Sequence, residues 1–308
     1  MREEKSFSLR DVLGSLESNI QYSIKNDIYF SSLGLVGYYN TSGKQLTFVE
    51  SRKYLGNLTD ETIGVITNEE TAECISGEKL ACVTDNPRVL FFMLHNHLCA
   101  REEYAGRKKP TVIGKNCKIS NMAQIAENNV VIGDNVTIEE FVSIKENVCI
   151  ESGAQIHAGT VIGDGGFEYI KYNGTLLPVE HVGGVRIGKN VRIHNNVSID
   201  KALYPWDDTI IEDDSKIDNN VYIAHGVKLG KACLVIGSSG ILGRVEIGNG
   251  CKIGQGASIR NGVKIGDGAD VSMGAVVTKD VLSGQKVTGN FAVEHSIFME
   301  DFLSRIRK

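Results

Sequence analysis

His225 is the residue whose type and position best suit acid–base chemistry. It ends the stretch Ile223-Ala224-His225, two residues after a branched aliphatic, and eighteen residues later Gly243 follows Ile241 at the same interval. A neutral imidazole can take a proton from an attacking amine, and a glycine N–H can stabilise the oxyanion of an acyl thioester. A solvated histidine on a surface turn fits the same position, so the local sequence leaves both interpretations open.

Two further residues could assist such a base. Asp218 stands seven residues before His225 and could orient its ring, although carboxylates at surface turns are usually only solvated. His181 is the strongest alternative histidine, because it lies outside the repeating pattern of the chain. His157 and His194 are predicted to be surface histidines.

A repeat of six residues must position these groups. Branched aliphatics fill twelve successive sites from Ile211 to Val277 at this spacing, and shorter runs carry it between Ile113 and Ile199. A strict period of six fits a short strand plus a turn, and neither an α-helix nor a coiled coil. It predicts a mainly β fold, a parallel β-helix with three repeats per coil and about eight coils. Residues eighteen apart then lie on neighbouring coils, which places Gly243 beside His225.

The repeat breaks twice, and both breaks are predicted to leave the β-helix as loops. Between Ile162 and Ile187 the chain reads GDGGFEYIKYNGTLLPVEHVGGVR, and between Ile199 and Ile211 Pro205 takes an expected aliphatic site. Plain linkers rarely carry many aromatics, which favours a functional role for these loops. The aromatics concerned are Phe167, Tyr169, Tyr172 and Trp206.

The chain of 308 residues is long enough for more than one domain. Residues 1–100 lack the period of six and alternate apolar strands with helical stretches, including a helix predicted over 88–98, so they are predicted to form a small α/β domain. The β-helix should occupy 101–291. Residues 292–308 carry apolar side chains at helical spacing and predict a short C-terminal helix.

Composition excludes several classes of protein. The formal net charge of −5 gives no general attraction to nucleic acid. No run of 18 apolar residues predicts a membrane span, and the N-terminus lacks the apolar stretch of a signal peptide. Seven cysteines without a Cys-x-x-Cys pair indicate neither a disulfide framework nor a zinc site. We therefore expect a cytoplasmic protein without a bound metal.

Three stretches resemble the UDP-3-O-acyl-glucosamine N-acyltransferases of lipid A synthesis: IDKALYPWDDTIIEDDSKIDNNVYIAHGVKLG, GDGGFEY and LTFVESRKYLGNL. The resemblance extends over nearly the whole chain. It implies a left-handed β-helix, a homotrimer and an N-terminal domain that binds the nucleotide. It also implies that His225 is the catalytic base and Gly243 the oxyanion glycine. The residues implied in substrate binding are Phe48 and Tyr54 around the base, Ser51 between them, and Phe167, Tyr169 and His181 in the inserted loop.

The C-terminal part differs from that family. Its AGS turn reads Leu242-Gly243-Arg244 here, and VVTKDVLSGQKVTGNFA resembles the ending of sugar acetyltransferases that use coenzyme A. This second resemblance implies acyl-CoA as a co-substrate, in preference to an acyl carrier protein thioester, and no permanently bound cofactor. Arg244 and Lys279 are the predicted contacts to the acyl donor.

Together these features predict an N-acyltransferase that moves an acyl group from a thioester to the amine of a nucleotide-linked amino sugar, for surface polysaccharide synthesis. Three alternatives stay open. The first is UDP-3-O-acyl-glucosamine N-acyltransferase itself, with an acyl carrier protein donor. The second is O-acylation of a sugar hydroxyl, and the third is a non-catalytic binding protein on the same fold.

Overall fold

The computed structural model describes residues 6–38, 43–289 and 292–306. Its main body is a three-sided prism in which each side is a parallel sheet, as the period of six predicts. The first face contains Gln124–Ile125, Ser143–Ile144, Val161–Asp164, Ser198–Asp200, Tyr222–Ile223, Gly240–Ile241, Ser258–Ile259 and Val276–Val277. The second contains Val112–Ile113, Val130–Ile132, Val148–Ile150, Gly184–Ile187, Asp208–Ile211, Lys228–Leu229, Glu246–Ile247 and Lys264–Ile265. The third contains Lys118–Ile119, Thr137–Ile138, Gln155–Ile156, Arg192–Ile193, Lys216–Ile217, Leu234–Val235, Lys252–Ile253, Asp270–Val271 and Lys286–Val287.

The aliphatic ladder is the core of this prism. Ile223 pairs with Ile241 and Ile241 with Ile259, so each aliphatic lies above its equivalent on the previous coil. All three are fully buried, and the small residues two positions earlier, such as Val221, are buried beside them. The register advances by eighteen residues per uninterrupted coil. The three faces contain eight, eight and nine strands. The left-handed parallel β-helix of about eight coils predicted from the sequence is therefore confirmed.

Left-handed backbone at the corners turns the chain from face to face. Asn220 and Gly226 have φ values of 57° and 71°, and glycine or asparagine fills most such positions because other side chains pay a steric penalty there. Arg244 is an exception, with φ of 59°, at a corner where the coils before and after carry Gly226 and Gly262. An arginine in this conformation is a local strain that suggests a function for its side chain.

The N-terminal part forms a five-stranded sheet covered by helices. The strand order is Ser23–Ile24, Leu80–Val83, Thr62–Thr67, Gln45–Val49 and Ser32–Leu33, and only the first pair is antiparallel. Phe7–Ser8 and Tyr29–Phe30 form a separate antiparallel pair. The helices are α1 (Leu9–Gly14), α2 (Glu69–Ala72), α3 (Pro87–Cys99), α4 (Glu102–Ala105) and a 3-10 helix at Arg52–Asn57.

Both interruptions of the repeat leave the prism, as predicted, and pack against the N-terminal sheet. The first contains a hairpin of Tyr169–Tyr172 and Thr175–Pro178, and its Ile170 belongs to the same apolar core as Leu90 of α3. The second contributes Tyr204, fully buried and stacked on Trp206 at 5.4 Å between ring centroids. The indole N–H of Trp206 donates to the carbonyl oxygen of Leu33 at 2.8 Å. The loops therefore dock the N-terminal part onto the prism.

The chain ends in α5 (His295–Ile306), the short C-terminal helix predicted from the sequence. None of its residues is buried, and the rings of Phe298 and Phe302 stack at 6.0 Å on its exposed apolar side. Within the described ranges, no helix has the length and apolar character needed to cross a membrane.

Candidate active site

Coil stacking brings His225 and Gly243 into contact. The pairs Tyr222–Gly240 and Ile223–Ile241 set the register, and the N–H of Arg244 donates to the carbonyl oxygen of His225 at 3.0 Å. A Cβ atom added to Gly243 would lie 2.6 Å from Nε2 of His225. In the described part of the chain, the N–H of Gly243 has no hydrogen-bond acceptor. A bare glycine therefore lies against the imidazole ring, nearest to Nε2, and has a free N–H donor, an arrangement that suits acyl transfer.

The first inserted loop covers this imidazole. A Cβ atom on Gly166 would lie 2.9 Å from Nε2 of His181 and 3.2 Å from Cδ2 of His225, so only glycine allows the loop to approach so closely. The rings of His181 and His225 meet edge to face at 5.3 Å. Oε2 of Glu168 lies 3.8 Å from Nε2 of His225, and His225 is only 4% exposed. The loop therefore encloses the imidazole and places the carboxylate of Glu168 beside its Nε2.

Both histidines are held neutral. Burial is the main cause that lowers the pKa of His225 to about 3, and the positive charge of Arg244 contributes to the same shift. Burial likewise lowers the pKa of His181 to about 4, although its Nδ1 is hydrogen-bonded to the carbonyl oxygen of Val179. A neutral imidazole at neutral pH has a lone pair available for a proton. His181 Nε2 is buried without a hydrogen-bond partner among the described residues, so it is also available to a ligand.

Asp200 adds an acidic group behind the same loop. Its Oδ2 accepts a hydrogen bond from the hydroxyl of Tyr222 at 2.7 Å and would lie 3.3 Å from a Cβ on Gly166. Burial raises the pKa of Asp200 to about 6, partly offset by the bond from Tyr222. The carboxyl of Asp200 can thus exchange protons close to neutral pH, next to the Gly166 segment that also contacts His225.

A cleft leads from this site to the N-terminal sheet. Its volume is about 250 Å³. The residues that line it include Phe48, Tyr54, Arg88, Glu168 and Arg244. The Phe48 ring packs against Phe91 and Phe92 of α3 at 5.0 and 5.9 Å. The Tyr54 ring is 45% exposed. Aromatic rings and guanidinium groups that line one cleft suit a nucleotide and its phosphates.

A second polar group ties the cleft to the prism. The hydroxyl of Tyr38 donates to Oδ2 of Asp207 at 2.5 Å, and Nζ of Lys228 lies 2.6 Å from Oδ1 of the same carboxylate. The guanidinium of Arg244 lies 6.0 Å from the Tyr38 ring centroid. Asp207 is buried, so it fixes the N-terminal part relative to the coil that carries His225.

The structure does not bring Asp218 to His225. Asp218 follows Ile217 of the third face, whereas His225 follows the next strand, on the first face, so the two occupy different corners. The oxygens of Asp218 accept hydrogen bonds from the N–H groups of Asn219 and Gly237. The predicted role of Asp218 in orienting the ring is wrong, because a separation of seven residues crosses one corner of the prism.

The remaining predicted residues lie around the cleft or beyond it. Phe167 is 83% exposed and contacts Tyr169 at 4.9 Å between ring centroids. Ser51 precedes the 3-10 helix, and its side chain makes no capping hydrogen bond. Lys279 is exposed two residues after Val277, at the corner equivalent to His225 but three coils further along, roughly 14 Å at the usual strand spacing.

Sequence reasoning missed Glu168, Arg88, Asp207 and Asp200. Asp200 could have been found, because Ile199 pairs with Ile223 and this places Asp200 one coil before Ala224. The other three lie in insertions or in the N-terminal part, where no repeat register predicts their neighbours.

Comparison with known proteins finds the same repeat in this chain and relatives that are named acyltransferases. The family described as bacterial transferase hexapeptide (six repeats) matches residues 129–164 and 244–279, and the hexapeptide repeat of succinyl-transferase matches 179–201. The chain is 34% identical over 136 residues to the UDP-3-O-acylglucosamine N-acyltransferase of Delftia acidovorans, over 44% of this chain and 40% of that protein. It is 44% identical over 87 residues to the UDP-3-O-acylglucosamine N-acyltransferase of Rickettsia prowazekii. That match covers 28% of this chain and 25% of the relative. The chain thus spans two fifths or less of these two relatives.

A solved structure is also similar. The UDP-N-acetylglucosamine acyltransferase from Campylobacter jejuni has 25% sequence identity and a TM-score of 0.53, over 58% of this chain and 68% of that one.

Proposed function

We propose that this chain, whose repeats and relatives are those of hexapeptide-repeat acyltransferases, transfers an acyl group from a thioester to the amine of a nucleotide-linked amino sugar. The observation that carries the proposal is the contact between His225 and Gly243, one coil apart, beside Glu168 of a cleft that aromatic side chains help to line. Neutral His225 takes the proton of the attacking amine, and the free N–H of Gly243 stabilises the oxyanion.

The cleft supports a nucleotide sugar as the acceptor. Phe48 and Tyr54 can stack on the base, and Arg88 and Arg244, which line the same cleft, can bind the diphosphate. Arg244 was predicted to contact the acyl donor. Its place in this cleft and its strained corner conformation favour the acceptor's phosphates instead.

The curated relatives favour one acceptor in particular. Both carry the name UDP-3-O-acylglucosamine N-acyltransferase, which supports the lipid A alternative over an amino sugar of surface polysaccharides. We therefore propose a UDP-linked 3-O-acylglucosamine as the acceptor.

Lys279 is exposed at the same corner of the prism as His225, three coils further along, and suits a phosphate of acyl-CoA. The homotrimer and the cytoplasmic location stay predictions.

The test is a matrix of substrates with the purified chain. UDP-3-O-acylglucosamine and UDP-glucosamine are each combined with acyl-CoA and acyl carrier protein thioesters of several chain lengths, and products are identified by mass spectrometry. We expect an alkali-stable amide with the 3-O-acylated acceptor. An alkali-labile ester as the only new bond supports O-acylation, and the absence of turnover with every pair contradicts the proposal.

A further inference from the structure

The carboxylate of Glu168 lies between two cationic or basic partners at the end of the cleft. Its Oε1 is 3.2 Å from a guanidinium nitrogen of Arg88 in α3, and its Oε2 is 3.8 Å from Nε2 of His225. The side chain is 17% exposed, and Glu168 is one of the residues that line the cleft. Arg88 holds one oxygen, so the other remains available beside the imidazole.

Glu168 meets His225 on its reacting side. Nε2 is the ring atom nearest to the space beside Gly243, where a Cβ would be 2.6 Å away, and the same nitrogen faces Oε2 of Glu168. A residue that only orients an imidazole binds the opposite ring nitrogen, as the aspartate of a Ser-His-Asp triad does. The distance of 3.8 Å is also too long for a direct hydrogen bond. Nε2 of His225 and Oε2 of Glu168 are close enough for one small cationic group beside them to form a hydrogen bond to each.

We propose that Glu168 binds the ammonium group of the acceptor sugar and holds it against Nε2 of His225. This inference rests on the proposed function, and it assigns the determinant that selects an amine over a hydroxyl. An ammonium group donates to a carboxylate and to a neutral imidazole at the same time, and charge-assisted hydrogen bonds of this kind are the strong ones. A neutral hydroxyl gains much less from the carboxylate.

Two protons leave the ammonium nitrogen during acyl transfer, and each has an acceptor. His225 takes one proton from the bound ammonium, and the freed lone pair forms the C–N bond to the thioester carbonyl. The C–S bond then breaks, the second nitrogen proton goes to the departing thiolate, and the amide and a thiol are left. The imidazolium returns its proton to water. The carboxylate of Glu168 stabilises the imidazolium while it exists.

Neighbouring residues place the carboxylate for this role. Gly166 packs beneath His181 and His225, which fixes the start of the segment. The carbonyl oxygen of Glu168 accepts a hydrogen bond from the N–H of Val179 at 3.0 Å, which fixes its backbone at the base of the hairpin. The same segment thus supplies both the cover over His225 and the carboxylate at its edge.

The experiment compares Glu168→Gln with Glu180→Gln, an exposed carboxylate of the same loop. Calorimetry measures binding of UDP-3-O-acylglucosamine and of UDP alone. We expect Glu168→Gln to weaken binding of the amino sugar tenfold or more, about the value of one charge-assisted hydrogen bond, and to leave UDP unchanged. Glu180→Gln should resemble the wild type with both ligands.

Kinetics provide the second measurement. For the wild type, KM for the acceptor should rise as pH passes the pKa of the sugar's ammonium, and Glu168→Gln should lose this dependence. Equal loss of affinity for UDP and amino sugar indicates a structural role and overturns the inference. So does wild-type behaviour of Glu168→Gln in an active enzyme, in which case the proposed function stands. If the wild-type protein neither binds nor acylates an amino sugar, both fall together.

Discussion

Replacing Gly243 with alanine tests the space beside the base. Gly243 has no left-handed backbone angle, so alanine costs no backbone strain there, but its Cβ would lie 2.6 Å from Nε2 and 2.8 Å from Cε1 of His225. The imidazole must retreat by about 0.8 Å to reach an ordinary contact of 3.4 Å. It is confined by Gly166, His181 and Glu168, so it cannot retreat and keep its orientation.

Misplacement of a reacting group by about 1 Å costs on the order of 100-fold in rate. We therefore expect kcat/KM of Gly243→Ala to fall roughly 100-fold, with a loss of unfolding free energy of about 1–3 kcal/mol from overpacking. Gly240→Ala is the matched control. Gly240 lies on the same coil, and a Cβ added there would have no heavy atom within 4 Å. Steady-state kinetics and urea unfolding measure both variants. Equal activity of Gly243→Ala and Gly240→Ala would refute the close contact and the reasoning built on it.

The other predictions concern the cleft, the docking of the N-terminal part and pH. Tyr54→Ala should raise KM for the nucleotide sugar about tenfold or more, since stacking on a base contributes about 1–3 kcal/mol; an unchanged KM contradicts a base at this ring. Asp207→Asn should lower the unfolding free energy by about 2 kcal/mol, because Lys228 loses its buried partner; stability equal to wild type in urea unfolding counts against this contact. Burial lowers the pKa of His95 and His181 to about 4 and is the main cause that lowers the pKa of His225 to about 3, so stability should be constant above pH 6.5 and fall towards pH 4 by about 1.4 kcal/mol per pH unit for each. Urea unfolding at pH 5–8 measures this slope, His95→Gln should reduce it, and a flat profile disproves it.

The prism could be predicted because its register is local. An aliphatic every six residues fixes the faces, and eighteen residues fix the neighbour on the next coil, which is why the approach of Gly243 to His225 follows from the sequence. The same arithmetic, applied to Asp218, shows why seven residues fail: they cross a corner onto another face.

The inserted loop that covers His225 could not be predicted in this way. Glu168 and His181 lie in an insertion without the period of six, and their positions depend on a hairpin that packs against α3. Tyr38 and Asp207 are 169 residues apart and meet only because two separate cores pack together. The aromatic content of the loops indicated that they do more than connect strands, but it did not reveal their partners.

His225→Gln tests most directly whether His225 is the base. Glutamine keeps a polar side chain of similar reach but cannot take the proton. The measurement is kcat/KM with UDP-3-O-acylglucosamine and the best acyl thioester, with Glu180→Gln as the control and urea unfolding as the check on folding. A folded His225→Gln enzyme should lose about 100- to 10,000-fold, the range of general base catalysis, while acceptor binding persists. Turnover at the wild-type rate by that variant would contradict the account.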